Sequence, residues 1–229
     1  MRAMILAAGR GERMRPLTDR CPKPLLPVGG KPLIVWHLER LARAGFREVV
    51  INHAHLGEQL EAELGDGARW GLSIAWSPEA SALETAGGIA NALRLLGAQP
   101  FLVVNGDIWC DFDFGRARSI ALQMDASRLD AWCVLVDNPA HHPRGDFALD
   151  RGWLADRADG LRLTFSGIGI YRPSLFRGIE PGARAALAPL LRAAAGAGRA
   201  GAEWHAGRWI DVGTPERLAQ LDTELRQEN

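Results

Sequence analysis

The sequence predicts an α/β fold built on a mainly parallel sheet covered by helices on both faces. Strand-length apolar runs alternate with stretches of helical periodicity through the first half of the chain. Those runs are apolar throughout, without alternation of polar and apolar residues, the pattern of strands buried on both faces. With 229 residues, 47% of them apolar, one large core can be filled, so residues 1–229 are expected to form a single domain.

The first predicted strand is "AMILAA" (3–8), and a glycine- and proline-rich stretch follows it. In "PLIVWHLERLARAG" (32–45), Leu33, Val35, Trp36, Leu38, Leu41 and Ala42 recur near helical spacing and Gly45 closes the helix. "EVVINHA" (48–54) reads as a strand and "GEQLEAELG" (57–65) as a helix; "LSIAWS" (72–77) and "FLVVNGD" (101–107) are strands on either side of a helix over 85–97. Beyond residue 107 the rhythm loosens into a helix near 114–124, strands near 131–137 and 161–171, and an alanine-rich helix near 183–195. Residues 193–201 read as a helix end and loop. Residues 202–227 read as a hairpin around 206–208, a turn, and a last helix capped by Thr214 with Pro215 at its first position.

Twenty-seven basic and 27 acidic side chains cancel, so net charge recruits neither nucleic acid nor an anionic membrane surface, and any anion site must be local. No apolar run approaches the roughly 20 residues that span a bilayer, and the N-terminal one is too short for a signal-peptide core, so a cytoplasmic protein is expected. Cys21, Cys110 and Cys133 lie far apart with no CxxC spacing, which argues for incidental thiols rather than disulfides or a zinc site.

The stretch "MILAAGRGERMRPLTDRCPKPLLPVGGKPLI" (4–34) holds the densest chemistry. In a parallel sheet the loop leaving the first strand stands at the ligand site. Gly9 and Gly11 let that loop turn so that several N–H groups point inward, a cradle for phosphate oxygens, and Arg10, Arg13, Arg15 and Lys23 add charge suited to a polyphosphate. The loop is neither a P-loop nor a dinucleotide fingerprint, since GxxxxGK[ST], a third glycine and an immediately following helix are all missing. Prolines 16, 22, 24, 27 and 32 are expected to keep the chain extended and stiff, fixing Lys23 in place.

These thirty residues resemble the signature of the sugar-phosphate nucleotidyltransferases, the nucleoside-diphosphate-sugar pyrophosphorylases. Glu12 departs from it, standing where the family usually has threonine. The resemblance implies a Rossmann-like, mixed but mainly parallel sheet of the nucleotide-diphospho-sugar transferase type, in which a sugar 1-phosphate attacks the α-phosphorus of a nucleoside triphosphate. Arg13 and Lys23 are the implied catalytic cations. Ala8, Gly9, Gly11, Glu12, Arg13, Lys23, Glu79, Gly87 and Gly88 are the implied nucleotide-binding residues. "VVNGDIW" (103–109) and "WIDVGTPERL" (209–218) match the family's two aspartate motifs, which makes Asp107 and Asp211 the implied ligands of Mg²⁺, a hard cation that takes a few carboxylates plus phosphate oxygens. Asn105, Gly145 and Gly167 are the implied sugar contacts.

The family's glutamate-lysine-proline motif after the sugar loop is absent, leaving Arg157 or Arg162 to meet the sugar phosphate. Among short members of the family, "GERMRPLT", "VINHAHLGEQLEAELGDG", "PLLRAAAGAG" and the missing lysine motif most resemble a sugar-1-phosphate uridylyltransferase, so UTP and a sugar 1-phosphate are the implied partners of a monomer or small homo-oligomer, with no nucleic acid or membrane partner. Glu79 suits uracil or guanine equally, so guanylyl transfer to mannose 1-phosphate is the alternative. An inactive nucleotide-sugar-binding domain is the alternative of another class. Among the rest, His53 and His55 are expected near a strand end by the cleft, His141 and His142 on a solvated loop, and Trp36 and Trp132 in the core. Trp109 and Trp153 are candidates for the sugar pocket, and Asp111 and Asp113 for a solvated helix entry.

Overall fold

The computed structural model describes residues 1–157 and 160–228. The apolar run after the N-terminus forms β1 (Ala3–Leu6); a small hairpin, β2 (Pro27–Val28) and β3 (Lys31–Pro32), then leads into α1 (Leu33–Arg43). The alternation continues as β4 (Glu48–His53), α2 (Gly57–Leu64), β5 (Ser73–Pro78), α3 (Glu84–Leu96) and β6 (Phe101–Asn105). Next come β7 (Ile108–Cys110), α4 (Ala117–Ser127), β8 (Ala131–Val136), β9 (Phe147–Asp150), β10 (Trp153–Ala155) and β11 (Arg162–Tyr171). The chain ends with α5 (Leu187–Gly196), β12 (Ala200–Trp204), β13 (Trp209–Asp211) and α6 (Pro215–Gln227).

Nine strands join in the order β5-β4-β1-β6-β11-β8-β12-β10-β9. β1 pairs in parallel with β4 and β6, and β12 with β8, whereas β11 runs antiparallel to both β6 and β8. The sheet is therefore mixed: parallel from β5 through β6 and between β12 and β8, and antiparallel at the pairings of β11, β10 and β9, so it is less parallel than the apolar runs predict. Successive side chains point to opposite faces, and both faces are covered. Ile5, Leu102 and Val134 pack with Ile34 and Leu38 of α1, Leu60 of α2 and Met124 of α4. Met4, Val103 and Cys133 pack on the other face with Ile89 of α3 and Leu191 of α5. That double coverage is why the strands read as continuous apolar runs.

The structure differs from the expectation near both ends of the chain. No hairpin turns around 206–208: β12 enters the main sheet beside β8, while β13 leaves it and pairs antiparallel with β7. Nor do the prolines hold residues 12–32 extended; three short 3-10 turns, Glu12–Met14, Leu17–Asp19 and Lys23–Leu25, fold the stretch before the β2–β3 hairpin. α6 packs on it, with Val28, Leu218, Leu221 and Leu225 in a third apolar cluster and Asp222 Oδ1 accepting the Gly29 N–H at 2.8 Å. Thr214 caps α6 as expected, its hydroxyl accepting from Arg217 N. Among the described residues no helix is long and apolar enough to cross a membrane.

The joint between β6 and β7 rests on a buried histidine. Nε2 of His37 on α1 lies 2.8 Å from the Ile108 carbonyl, while Nδ1 has no partner among the described residues. Burial lowers the His37 pKa from 6.5 to about 4. The folded protein thus holds His37 neutral where the unfolded chain protonates it, so stability falls as pH drops from 6.5 through about 4. The loss attributable to this group is about 3 kcal/mol. Urea unfolding of wild type and His37→Gln across that window is expected to give a flatter pH dependence for the variant; parallel curves would exclude His37 as the source.

Candidate active site

The loop between β1 and the 3-10 turn at Glu12–Met14 stands at the carboxyl ends of the parallel strands and lines a cavity of about 490 Å³. Gly11 shapes it: its φ is +64°, and a Cβ there would come within 2.9 Å of Thr18 and 3.2 Å of Lys23. Left-handed backbone and lack of space thus demand glycine. Thr18 Oγ1 donates to the Gly11 carbonyl at 2.8 Å and closes the turn. Lys23 is 7% exposed, and its Nζ lies 2.8 Å from Asp107 Oδ2, which ties the opening loop to the end of β6.

A second chain of bonds fixes the far wall. Asn52 Oδ1 accepts the Ala7 N–H at 2.9 Å, Asn52 Nδ2 donates to Glu79 Oε1 at 2.6 Å, and Glu79 Oε2 accepts the Leu83 N–H at 3.0 Å. Asn52 and Glu79 are both buried, and a buried carboxylate needs such donors. Together they set the ends of β1, β4 and β5 and the entry to α3 around the first cavity.

A second cavity of about 390 Å³ opens beside the first and shares Arg13, Asn105 and Asp107 with it. Its floor is a β-bulge: the register of β11 on β8 shifts between Phe165 and Ile168. There Ser166 Oγ donates to the Val134 carbonyl at 2.7 Å, and the Ser166 carbonyl accepts Trp209 Nε1–H at 2.8 Å. Bulges recur beside active sites because they re-aim the chain. Gly167 sits at φ +81°, where a Cβ would come within 2.6 Å of the Asn105 side chain. Asn105 also lines a third, mainly apolar cavity of about 390 Å³ with Thr85, Phe165, Leu187 and Arg192, so the three lobes meet at one residue.

Asp107 and Asp211 lie about a hundred residues apart in sequence and on adjacent backbone here. Asp211 pairs with Ile108 across β13 and β7, and Val212 N donates to the Asp107 carbonyl at 2.9 Å. Both side chains face the second cavity. Asp107 is met by Lys23, and Asp211 by Arg217 Nη1 at 2.8 Å. No group of three or more His, Cys, Asp or Glu side chains forms a ready metal cage among the described residues. Two hard carboxylates facing open space still fit a cation such as Mg²⁺, which keeps waters and takes phosphate oxygens.

Of the expected nucleotide-binding residues, Ala8, Gly9, Gly11, Glu12, Arg13, Lys23 and Glu79 line the first cavity; of the expected sugar contacts, Asn105 and Gly167 line the second. Gly87 and Gly88 line none of the three lobes. A Cβ on Gly87 would collide with the Ala183 carbonyl, and one on Gly88 would come within 2.7 Å of Glu79, so both are packing glycines. Gly145 is likewise off the wall: it has φ +57°, and a Cβ would come within 2.9 Å of Leu163 backbone, so it serves the loop's close approach to β11. Arg157 is paired with Asp150, and Arg162 with Asp156 and the Arg157 and Asp146 carbonyls, and neither lines any of the three lobes.

Other expectations are revised too. His141 and His142 line the second cavity, whereas His53 turns away from it to Glu61 Oε1 at 2.7 Å. Trp109 is buried against α6 and Trp153 is 44% exposed; the tryptophan on the cavity wall is Trp209. Asp111 and Asp113, by contrast, are exposed at a helix entry as expected: Asp111 is paired with His205, and Asp113 caps the 3-10 turn that leads into α4. Trp209 and Ser166 escape a reading by motif, although a glycine inside a strand pattern such as "FSGIGIY" is a signal for the bulge.

A parallel-sheet cleft with a glycine-shaped loop, a buried lysine and two facing aspartates is the architecture of an enzyme that handles phosphates. The chain belongs to the nucleotidyl transferase family, whose model matches residues 2–145. It is 58% identical over 223 residues to the N-acetylmuramate alpha-1-phosphate uridylyltransferase of Neisseria meningitidis, covering 96% of each chain. It is 36% identical to the protein of the same name from Caulobacter vibrioides, over 98% of this chain and 96% of that one. A Bacillus anthracis structure in complex with sucrose superposes with a TM-score of 0.85 at 21% identity, over 100% of this chain and 96% of the other. A UDP-glucose pyrophosphorylase complexed with UDP-glucose does so at 0.76 and 18%, over 100% and 99%.

Gly167→Ala is expected to lose about 1–3 kcal/mol of stability in urea unfolding, because the left-handed backbone and the Asn105 contact both oppose a Cβ. An unchanged midpoint would mean that the bulge relaxes freely.

Proposed function

We propose that this chain transfers a uridylyl group from UTP to N-acetylmuramic acid α-1-phosphate, giving UDP-N-acetylmuramic acid and pyrophosphate in peptidoglycan recycling in the cytoplasm. The observation that carries this reading is 58% identity to a uridylyltransferase of that name across 96% of both chains. The geometry supports it. A cavity of triphosphate-cradle chemistry opens, at Arg13, Asn105 and Asp107, onto a second cavity walled by Ser166, Gly167 and Trp209.

The sugar-phosphate oxygen forms a bond to the α-phosphorus of UTP while the bond from that phosphorus to the pyrophosphate oxygen breaks in line. Both reactants are anions, so the chain's work is positioning and charge neutralisation. The Gly9 to Gly11 amides and Arg13 hold the leaving phosphates. Lys23 is pinned by burial and by its pairing with Asp107 at the junction of the two cavities, and supplies a fixed positive charge to the α-phosphate. Glu79, already accepting from Asn52 and Leu83, retains lone pairs for a base N–H. Asn105 and the Gly167 bulge orient the sugar. Mg²⁺ held by Asp107 and Asp211, when bound, supplies further charge neutralisation at the reacting phosphates.

Lys23→Ala and Asp211→Asn are expected to lower pyrophosphate release by orders of magnitude while circular dichroism shows an intact fold. Near-normal turnover of either variant would remove its assigned role. Chelation of divalent cations is expected to abolish turnover and added Mg²⁺ to restore it; turnover unaffected by the chelator would remove the metal role of both aspartates.

A further inference from the structure

Arg217, in the first turn of α6, has no part in the steps above and lines none of the three cavities, yet its side chain lies directly behind residues that line two of them. Its Nη1 lies 2.8 Å from Asp211 Oδ2 and 2.7 Å from His141 Nε2, both residues of the second cavity. Its Nη2 lies against Gly213, where a Cβ would collide with it, and Gly213 lines the first cavity. The side chain is only 19% exposed, and neither Nε nor Nη2 donates to another described residue. The guanidinium is therefore largely withdrawn from solvent, held by one nitrogen, and left with unused donors behind the walls of both substrate lobes.

We propose that Arg217 is the cation that holds the phosphate of the sugar 1-phosphate, kept on Asp211 until a divalent cation claims that carboxylate. The inference rests on the reading of Asp211 as a metal ligand in a sugar-phosphate nucleotidyltransferase. A divalent cation on Asp211 competes directly with Nη1 for the same oxygens. A largely buried guanidinium that loses its counter-anion then seeks another, and a phosphate arriving in the second cavity offers the planar two-point acceptor that arginine fits best. Thr214 holds the backbone in place by accepting from Arg217 N at 3.4 Å, so only the side chain has to reorient. The arrangement also supplies the phosphate partner that the missing lysine motif requires, since Arg157 and Arg162 are committed elsewhere.

Calorimetric titration of the full chain separates this from a role in merely orienting Asp211. Mn²⁺ alone is expected to bind Arg217→Gln at least as tightly as wild type, because the carboxylate is no longer pre-paired. N-acetylmuramic acid 1-phosphate, titrated with Mn²⁺ present and UTP absent, is expected to bind that variant about tenfold to a hundredfold more weakly. Arg217→Lys should recover part of that affinity, and in turnover assays KM for the sugar phosphate should rise more than kcat falls. Unchanged sugar-phosphate affinity in Arg217→Gln would overturn the proposal alone. So would parallel weakening of Mn²⁺ and sugar phosphate in both variants. A wild-type chain that binds no Mn²⁺, with or without UTP, would overturn the metal reading of Asp211 and the proposal with it.

Discussion

The ion pair between Lys23 and Asp107 is the contact on which the site's geometry depends. It bridges two segments 84 residues apart and joins the opening loop to the sheet end that also presents Asn105. Lys23 is nearly buried, while Asp107 keeps a third or more of its side chain in reach of solvent. The asymmetry matters: removing the aspartate strands a buried cation, whereas loading the site exchanges one anion near Lys23 for another. Asp211 and Arg217 repeat the arrangement on the neighbouring strand, at similar distance. Each carboxylate that faces the second cavity is thus neutralised by one cation, a stable arrangement for two acids on adjacent backbone.

Around that pair, the fold converts short apolar strands into a three-lobed cleft. β1, β4, β5 and β6 end together because they are parallel and in register, which places Ala7, Asn52, Glu79 and Asn105 on one rim. β11 runs the other way and reaches the cleft through its bulge, not through its end. Asn105 is consequently confined between the first lobe and the Gly167 turn and touches all three lobes.

Much of the first half was legible because its periodicity is local. Apolar runs of strand length and helices closed by Gly45 and Gly97 carry their own boundaries, and the strand starts and ends fall within a few residues of expectation. The opening loop was legible as chemistry for the same reason: Gly11, Arg13 and Lys23 lie within one short stretch. What escaped depends on pairing over distance. β13 pairs with β7 rather than with β12, a choice made by Asp211 and Ile108 coming into register, and no nearby residue signals it. Gly87 and Gly145 resemble ligand-facing glycines in sequence but serve close backbone packing, a distinction visible only once Ala183 and Leu163 are in place. His141, expected on a solvated loop, is drawn to the cleft by Arg217, whose own position depends on α6.

Uridylyl transfer to an N-acetylmuramic acid 1-phosphate is open to direct observation by ³¹P NMR of the purified chain with Mg²⁺ and paired substrates. With UTP and N-acetylmuramic acid α-1-phosphate, a diphosphate doublet pair from the UDP-sugar and a pyrophosphate signal in equal amount are expected. Product from GTP and mannose 1-phosphate in place of that pair, or no product from any nucleotide and sugar phosphate, would contradict it.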